Sequence, residues 1–247
     1  MNAPLDPAFE ARLTDPREPP RATRAEALLI AAGVTVATAA GNAWAFSPSR
    51  AGAADTLSSL AAVYVPAAAL TALWLRRRGE LRSMLRPLGG DLALGFLIAA
   101  LLYAAALGAS LLFMPHGSAR EAWILRFYLH LGGPEEVGRV AVGGAVFVIA
   151  ALEEVVWRGL AMRALAGPFG AVGAWLPSAA LYGAAHLPTA VLLGGPEAGL
   201  NPLLPLAALG CGLVWGRLLL LKGRLVPALF AHAFFSWAVA SFPIWRP

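Results

Sequence analysis

An all-α bundle that crosses a membrane several times is predicted by three observations. The 247-residue chain is 59% hydrophobic and only 13% charged, whereas soluble domains carry about 25% charged and 45–50% apolar residues. Its apolar residues fall into runs close to the ~20 residues needed to cross ~30 Å of hydrocarbon. Short arginine-bearing segments separate those runs, the usual arrangement where basic loops set orientation.

Residues 1–25 are rich in Pro, Arg, Asp and Glu and read as a disordered cytoplasmic segment. Residues 26–247 then form one transmembrane domain. The first run, 26–46, ends in Ala43-Trp-Ala45, which has the small-x-small form of a signal-peptidase site. Its basic leader is long and later spans anchor the chain, so a retained helix is expected. The second run, 57–75, is uncharged and stops against Arg76, Arg77 and Arg78. Runs at 91–114, 138–157, 170–193, 203–221 and 225–242 complete seven crossings. Residues 121–131 would make an eighth if inserted, but their length and Arg126 favour an interfacial helix. Trp44, Trp74 and Trp245 near span ends suit an interfacial aromatic belt. Ala and Gly inside the spans allow close helix packing.

The sequence pI is about 10.1, yet the basic residues lie between apolar runs, not along one face, so no nucleic-acid partner is expected. With the N-terminus in the cytoplasm, 14 of the 19 basic residues fall on or near that side. Arg158 and Arg163 are counted among them, and the C-terminus is outside for seven spans. The single cysteine, Cys211, excludes an internal disulfide. His116 and His130 fall in an outer loop without an assigned role. Glu135-Glu136 follows Gly132-Gly-Pro134 and reads as a solvated loop.

Glu153 and Glu154 stand against this background. A charge at membrane depth costs about 2.5–3.5 kcal/mol even on lenient scales, which marks an intramembrane acidic pair as a functional candidate. Glu154 and Arg158 are i,i+4 with the acid first, the favourable order for a helical ion pair. Adjacent residues point about 100° apart, so one glutamate can be neutralised while the other faces another wall. Tyr182 and His186 are i,i+4 in the fifth run, as are His232 and Ser236 in the seventh. A carboxylate in a partly dry cavity can take a proton from water. One histidine can help hold that water and another can donate to a developing oxyanion. Peptide hydrolysis needs those three roles.

Glu153-Glu-Val-Val-Trp-Arg158 matches Glu-Glu-x-x-x-Arg, the first motif of the CPBP (CAAX protease and bacteriocin-processing) family of intramembrane proteases, which includes Rce1-type prenyl-protein peptidases. Tyr182-Gly-Ala-Ala-His186 resembles its Phe-x-x-x-His motif, and His232-Ala-Phe-Phe-Ser236 its His-x-x-x-Asn/Asp motif. The resemblance covers roughly 138–242 and keeps the motif order. It implies Glu153 as the base that activates water, with Glu154 as its partner held by Arg158. It further implies that His186 positions the water and that His232 forms the oxyanion site with position 236. No obligatory metal or other cofactor is implied. The implied partner is a membrane or lipid-modified protein substrate, cleaved in the bilayer of a bacterial inner membrane. Some bacterial members resemble sorting peptidases of the myxosortase type. Two departures stand out: Tyr182 adds a hydroxyl where the family has phenylalanine, and Ser236 offers one donor where asparagine offers two.

Other functions fit parts of the pattern. Glu153, His186 and His232 are ligand types for zinc, though the His-Glu-x-x-His helix is absent. A transporter predicts repeated halves, and none is evident. A scaffold or immunity protein would tolerate loss of Glu153.

Overall fold

The computed structural model describes residues 22–132 and 138–244, and within them every extended element is a helix. Residues 1–21 of the N-terminal segment, the Glu135-Glu136 doublet and Trp245 lie outside the described residues. Helix α1 is Arg24–Ala45, opened by a capping box in which the Thr23 hydroxyl accepts from Glu26 N and Glu26 accepts from Thr23 N. Helix α2 (Ala53–Arg77), a single turn α3 (Leu81–Met84) and α4 (Asp91–Phe113) follow. Helix α5 is Glu121–His130 and α6 is Arg139–Val156. A π-helical turn at Trp157–Ala161 leads into α7 (Met162–Ala185), then α8 (Leu187–Leu192), α9 (Leu203–Lys222) and α10 (Val226–Ser241).

Among the described residues, five segments are long and apolar enough to cross a membrane, and Arg139–Leu192, at 54 residues, is one of them. It cannot be straight. Tyr182 hydrogen-bonds Glu153, 29 residues earlier, a pair that a continuous helix would hold about 43 Å apart. The reversal is at Gly170, whose φ of 75° and ψ of 162° interrupt the helical backbone. A positive φ is cheap only without a side chain, so glycine lets the chain turn back there. That division, with the shorter apolar helix Val226–Ser241, gives seven apolar helical segments among the described residues, in the order of the seven runs.

Two boundaries differ most from the expectation, beside smaller shifts that put Arg24 and Ala25 of the segment read as disordered into α1 and start α2 at Ala53. The fourth pass does not stop at residue 157 but runs on through the π-helical turn to the Gly170 bend. An alanine-rich stretch with good helix propensity fills what reads as a loop. Arg158 is therefore not a loop arginine: it is 1% exposed inside the bundle and leaves the count of orientation-setting charges. The fifth pass breaks at His186 rather than running to 193.

Helix α10 packs against α6 and α4, α9 against α7, and α1 against both α7 and α2. Outward-facing apolar residues are highly exposed, with Leu111 and Leu112 at 77% and Val140 at 82%. So broad an apolar exterior suits lipid, not water. Helix α5, about 15 Å long, is too short to cross. It is tied down by Tyr128 Oη donating to the Val239 carbonyl and by Asn201 Nδ2 donating to the Trp123 carbonyl. His130 in that helix is not in a loop: Nδ1 lies 3.2 Å from Thr56 Oγ1 and its ring lies against Phe46. Burial holds its imidazole below the ordinary histidine range.

Candidate active site

Glu153 and Glu154 occupy the last turn of α6, and their roughly 100° separation sends them to different neighbours. Glu154 is fully buried. Its Oε1 accepts from Arg158 Nη1 at 3.0 Å and from His232 Nδ1 at 2.9 Å. Arg158 Nη2 donates to the Gly212 carbonyl at 3.1 Å, and its guanidinium lies over the rings of Tyr182 and Trp215. Gly212 makes room for this contact: a Cβ there would meet Arg158 Nη2 and the Tyr182 ring at 3.3 Å, tight enough to push them by a few tenths of an ångström. Both charges of the pair are hydrogen-bonded and enclosed, but Glu154 Oε2 and Arg158 Nε have no partner among the described residues, so the desolvation of the pair is only partly offset.

Glu153 keeps 12% of its side chain exposed. Its Oε2 accepts from Tyr182 Oη at 2.7 Å and stands 3.9 Å from His232 Nε2. His232 thus bridges the two glutamates. Its Nδ1–H donates to Glu154, which fixes the ring orientation and leaves Nε2 on the Glu153 side. Trp215 stacks on the imidazole face with ring centroids 3.7 Å apart and planes 18° apart, which restricts tilting.

His186 is placed by a helix break. Pro188 has no N–H to give the Ala184 carbonyl, so the α-helical ladder cannot continue. The His186 backbone N–H bonds three residues back, to Gly183. That frees the Tyr182 carbonyl, which accepts the His186 Nδ1–H at 2.8 Å. A carbonyl only accepts, so this bond assigns the proton to Nδ1 and the lone pair to Nε2. Two hydrogen bonds secure the break: Asn42 Nδ2 of α1 donates to the Ala185 carbonyl, and Thr189 Oγ1 to that of His186. The His186 ring sits edge-on to Tyr182 at 4.8 Å.

The structure therefore brings Glu153, Glu154, Arg158, Tyr182, His186 and His232 into one network. Glu153 and His186 are nearly equidistant along the chain from the Gly170 bend, so the two passes bring them to about the same level. Ser236 is not joined to the network: it is half-buried, and its hydroxyl makes no hydrogen bond among the described residues. Sequence reasoning does not pick out Trp215, Gly212 or Asn42. Asn42 carries a readable signal, a lone amide inside an apolar run. Among the described residues, no three His, Cys, Asp or Glu side chains converge as a metal-ligand set.

Tyr182→Phe keeps the ring contacts and removes only the donor to Glu153. A hydrogen bond to a charged group contributes about 1.5 kcal/mol to stability, so the thermal midpoint should fall by a few degrees, and turnover by up to roughly tenfold as Glu153 loses its anchor. Wild-type turnover would reduce Tyr182 to a packing residue.

Residues 135–238 match the family model described as type II CAAX prenyl endopeptidase Rce1-like. All seven site residues named from the sequence lie within the match. No curated protein and no solved structure matches the chain.

Proposed function

From a type II CAAX prenyl endopeptidase Rce1-like domain at residues 135–238, carried by an integral multi-pass membrane protein, we infer that the chain hydrolyses a peptide bond in or beside the bilayer with water activated by Glu153. The observation that carries this reading is the network itself. A partly exposed carboxylate, a fully buried carboxylate–arginine pair and two oriented imidazoles meet inside apolar helices.

In this reading Glu153 takes a proton from water while the His186 Nε2 lone pair accepts the water's other hydrogen. The hydroxide attacks the scissile carbonyl carbon, and a protonated His232 Nε2 donates to the oxygen as negative charge develops there. Glu154 and Arg158 act through His232: they hold its Nδ1–H and hence its aim. Collapse of the intermediate breaks the C–N bond, and the proton on Glu153 passes to the departing amine. Trp157, Tyr182 and Trp215 wall the network and limit bulk water. Ser236 completes the oxyanion site only if it turns its hydroxyl inward. The substrate class is a membrane or lipid-modified protein losing a terminal segment, including a C-terminal sorting helix of the myxosortase kind. The location is a bacterial inner membrane.

The test is mass spectrometry of protein termini in cells carrying wild type, Glu153→Gln or His186→Ala. The same precursors should accumulate in both mutants at normal enzyme levels, which also names the substrate. Unchanged termini with stably inserted mutants would sink the protease reading and favour a scaffold or transporter. With the substrate in hand, a chelator should leave cleavage by the purified protein intact; loss restored by added zinc would instead assign Glu153, His186 and His232 to a metal.

A further inference from the structure

Outside the protease-like region, a cavity of about 620 Å³ opens where α2 ends and the chain turns towards α4. Arg76, Arg82 and Arg86 line it together with Leu81, Leu85 and Pro87. Basic residues here are expected from orientation alone, but orientation requires only their number and side, not their convergence on one cavity. None of the three makes an ion pair among the described residues. Their neighbours do. Arg78 Nε donates to Glu80 at 3.2 Å, Arg163 Nε donates to the other Glu80 oxygen at 2.8 Å, and Arg224 pairs with Asp91. The local acids are thus taken, and the cavity keeps its positive charge.

The segment is held in shape before any ligand arrives. Glu80 ties it to α7 through Arg163. Met84 is buried, and its carbonyl accepts from Leu225 N at 2.9 Å at the start of α10. Leu81 and Leu85 are one turn apart, with Leu85 N donating to the Leu81 carbonyl at 3.1 Å, and Arg86 follows just past that turn. The neighbouring Leu88, like Leu85, is exposed, at 46% and 38%. Arg76 is next to the last residue of α2, an apolar span that ends there, so the cavity lies where hydrocarbon gives way to headgroups. Three free guanidiniums favour a phosphate, and the adjoining leucines favour an acyl chain over water.

We propose that this cavity binds the phosphate headgroup of an anionic phospholipid through Arg76, Arg82 and Arg86. The experiment is native mass spectrometry of the purified full chain with phosphatidylglycerol, phosphatidylcholine or inorganic phosphate added separately and in competition. Wild type should retain phosphatidylglycerol over phosphatidylcholine. The variant Arg82→Gln/Arg86→Gln should lose roughly tenfold or more of that retention, as removal of two headgroup-facing arginines implies. Arg77→Gln/Arg217→Gln removes the same charge away from the cavity and should keep it. Equal retention of the two lipids by wild type overturns the proposal whether or not the variants fold. So does equal loss in both double variants. Displacement of phosphatidylglycerol by millimolar phosphate overturns the lipid assignment in favour of a soluble anion.

Discussion

Glu153→Gln should lower cleavage by about 10²–10⁴-fold, the contribution typical of a positioned general base, while leaving the protein folded. The substitution is nearly isosteric. The glutamine amide oxygen can still accept from Tyr182 Oη, now 2.7 Å from Glu153 Oε2, and no buried charge is stranded because Arg158 is matched by Glu154. The amide has no affinity for a proton from water, so only the chemistry is removed. Glu153→Asp gives an independent check. It keeps the carboxylate but withdraws it by one methylene, and misplacement of about 1 Å can itself cost about 10²-fold. The expected order is wild type, then aspartate, then glutamine, with all three showing the same thermal midpoint on purified protein. Glutamine activity within tenfold of wild type would move the base elsewhere, and His186, whose Nε2 carries a free lone pair, would be the next candidate.

Helical periodicity made half of this site readable. Glu154–Arg158, Tyr182–His186 and His232–Ser236 are one-turn pairs, and a pair one turn apart shares a helix face wherever the helix goes. The opposed directions of Glu153 and Glu154 follow from the same geometry. What joins the pairs is not local. The His232–Glu154 bond spans 78 residues and Arg158 reaches Gly212 across 54, and no spacing rule encodes either. Trp215 sits in a helix whose apolar residues all look alike, so its stacking on His232 has no sequence signature. A break before residue 170 was readable, since Gly167-Pro168 and Gly170 punctuate the chain there; what was not readable is that helix continues from 158 up to it, so that one positive φ, not a polar loop, reverses the chain. Ser236 shows the converse: its i,i+4 spacing from His232 gives it the right face but not a partner.

Arg158→Met should be the most destabilising single change in the bundle. It strands a carboxylate that is 0% exposed, and breaking one side of a buried pair costs about 3–5 kcal/mol. The cation–π contacts with Tyr182 and Trp215 are lost as well, and the Gly212 carbonyl loses its donor. A marked drop in thermal midpoint and in membrane yield is expected. The decisive comparison is the double variant Glu154→Gln/Arg158→Met. It removes both charges, and the glutamine oxygen can still accept the His232 Nδ1–H, so most of the lost stability should return. Activity should return less, because an amide oxygen accepts the His232 Nδ1–H more weakly than a carboxylate does and so aims the ring less firmly. Stability recovering ahead of activity separates the two duties of the pair: cancelling a buried charge, and aiming the histidine that faces Glu153. A double variant no more stable than Arg158→Met would show that the arginine acts through packing and its bond to Gly212, with charge compensation secondary.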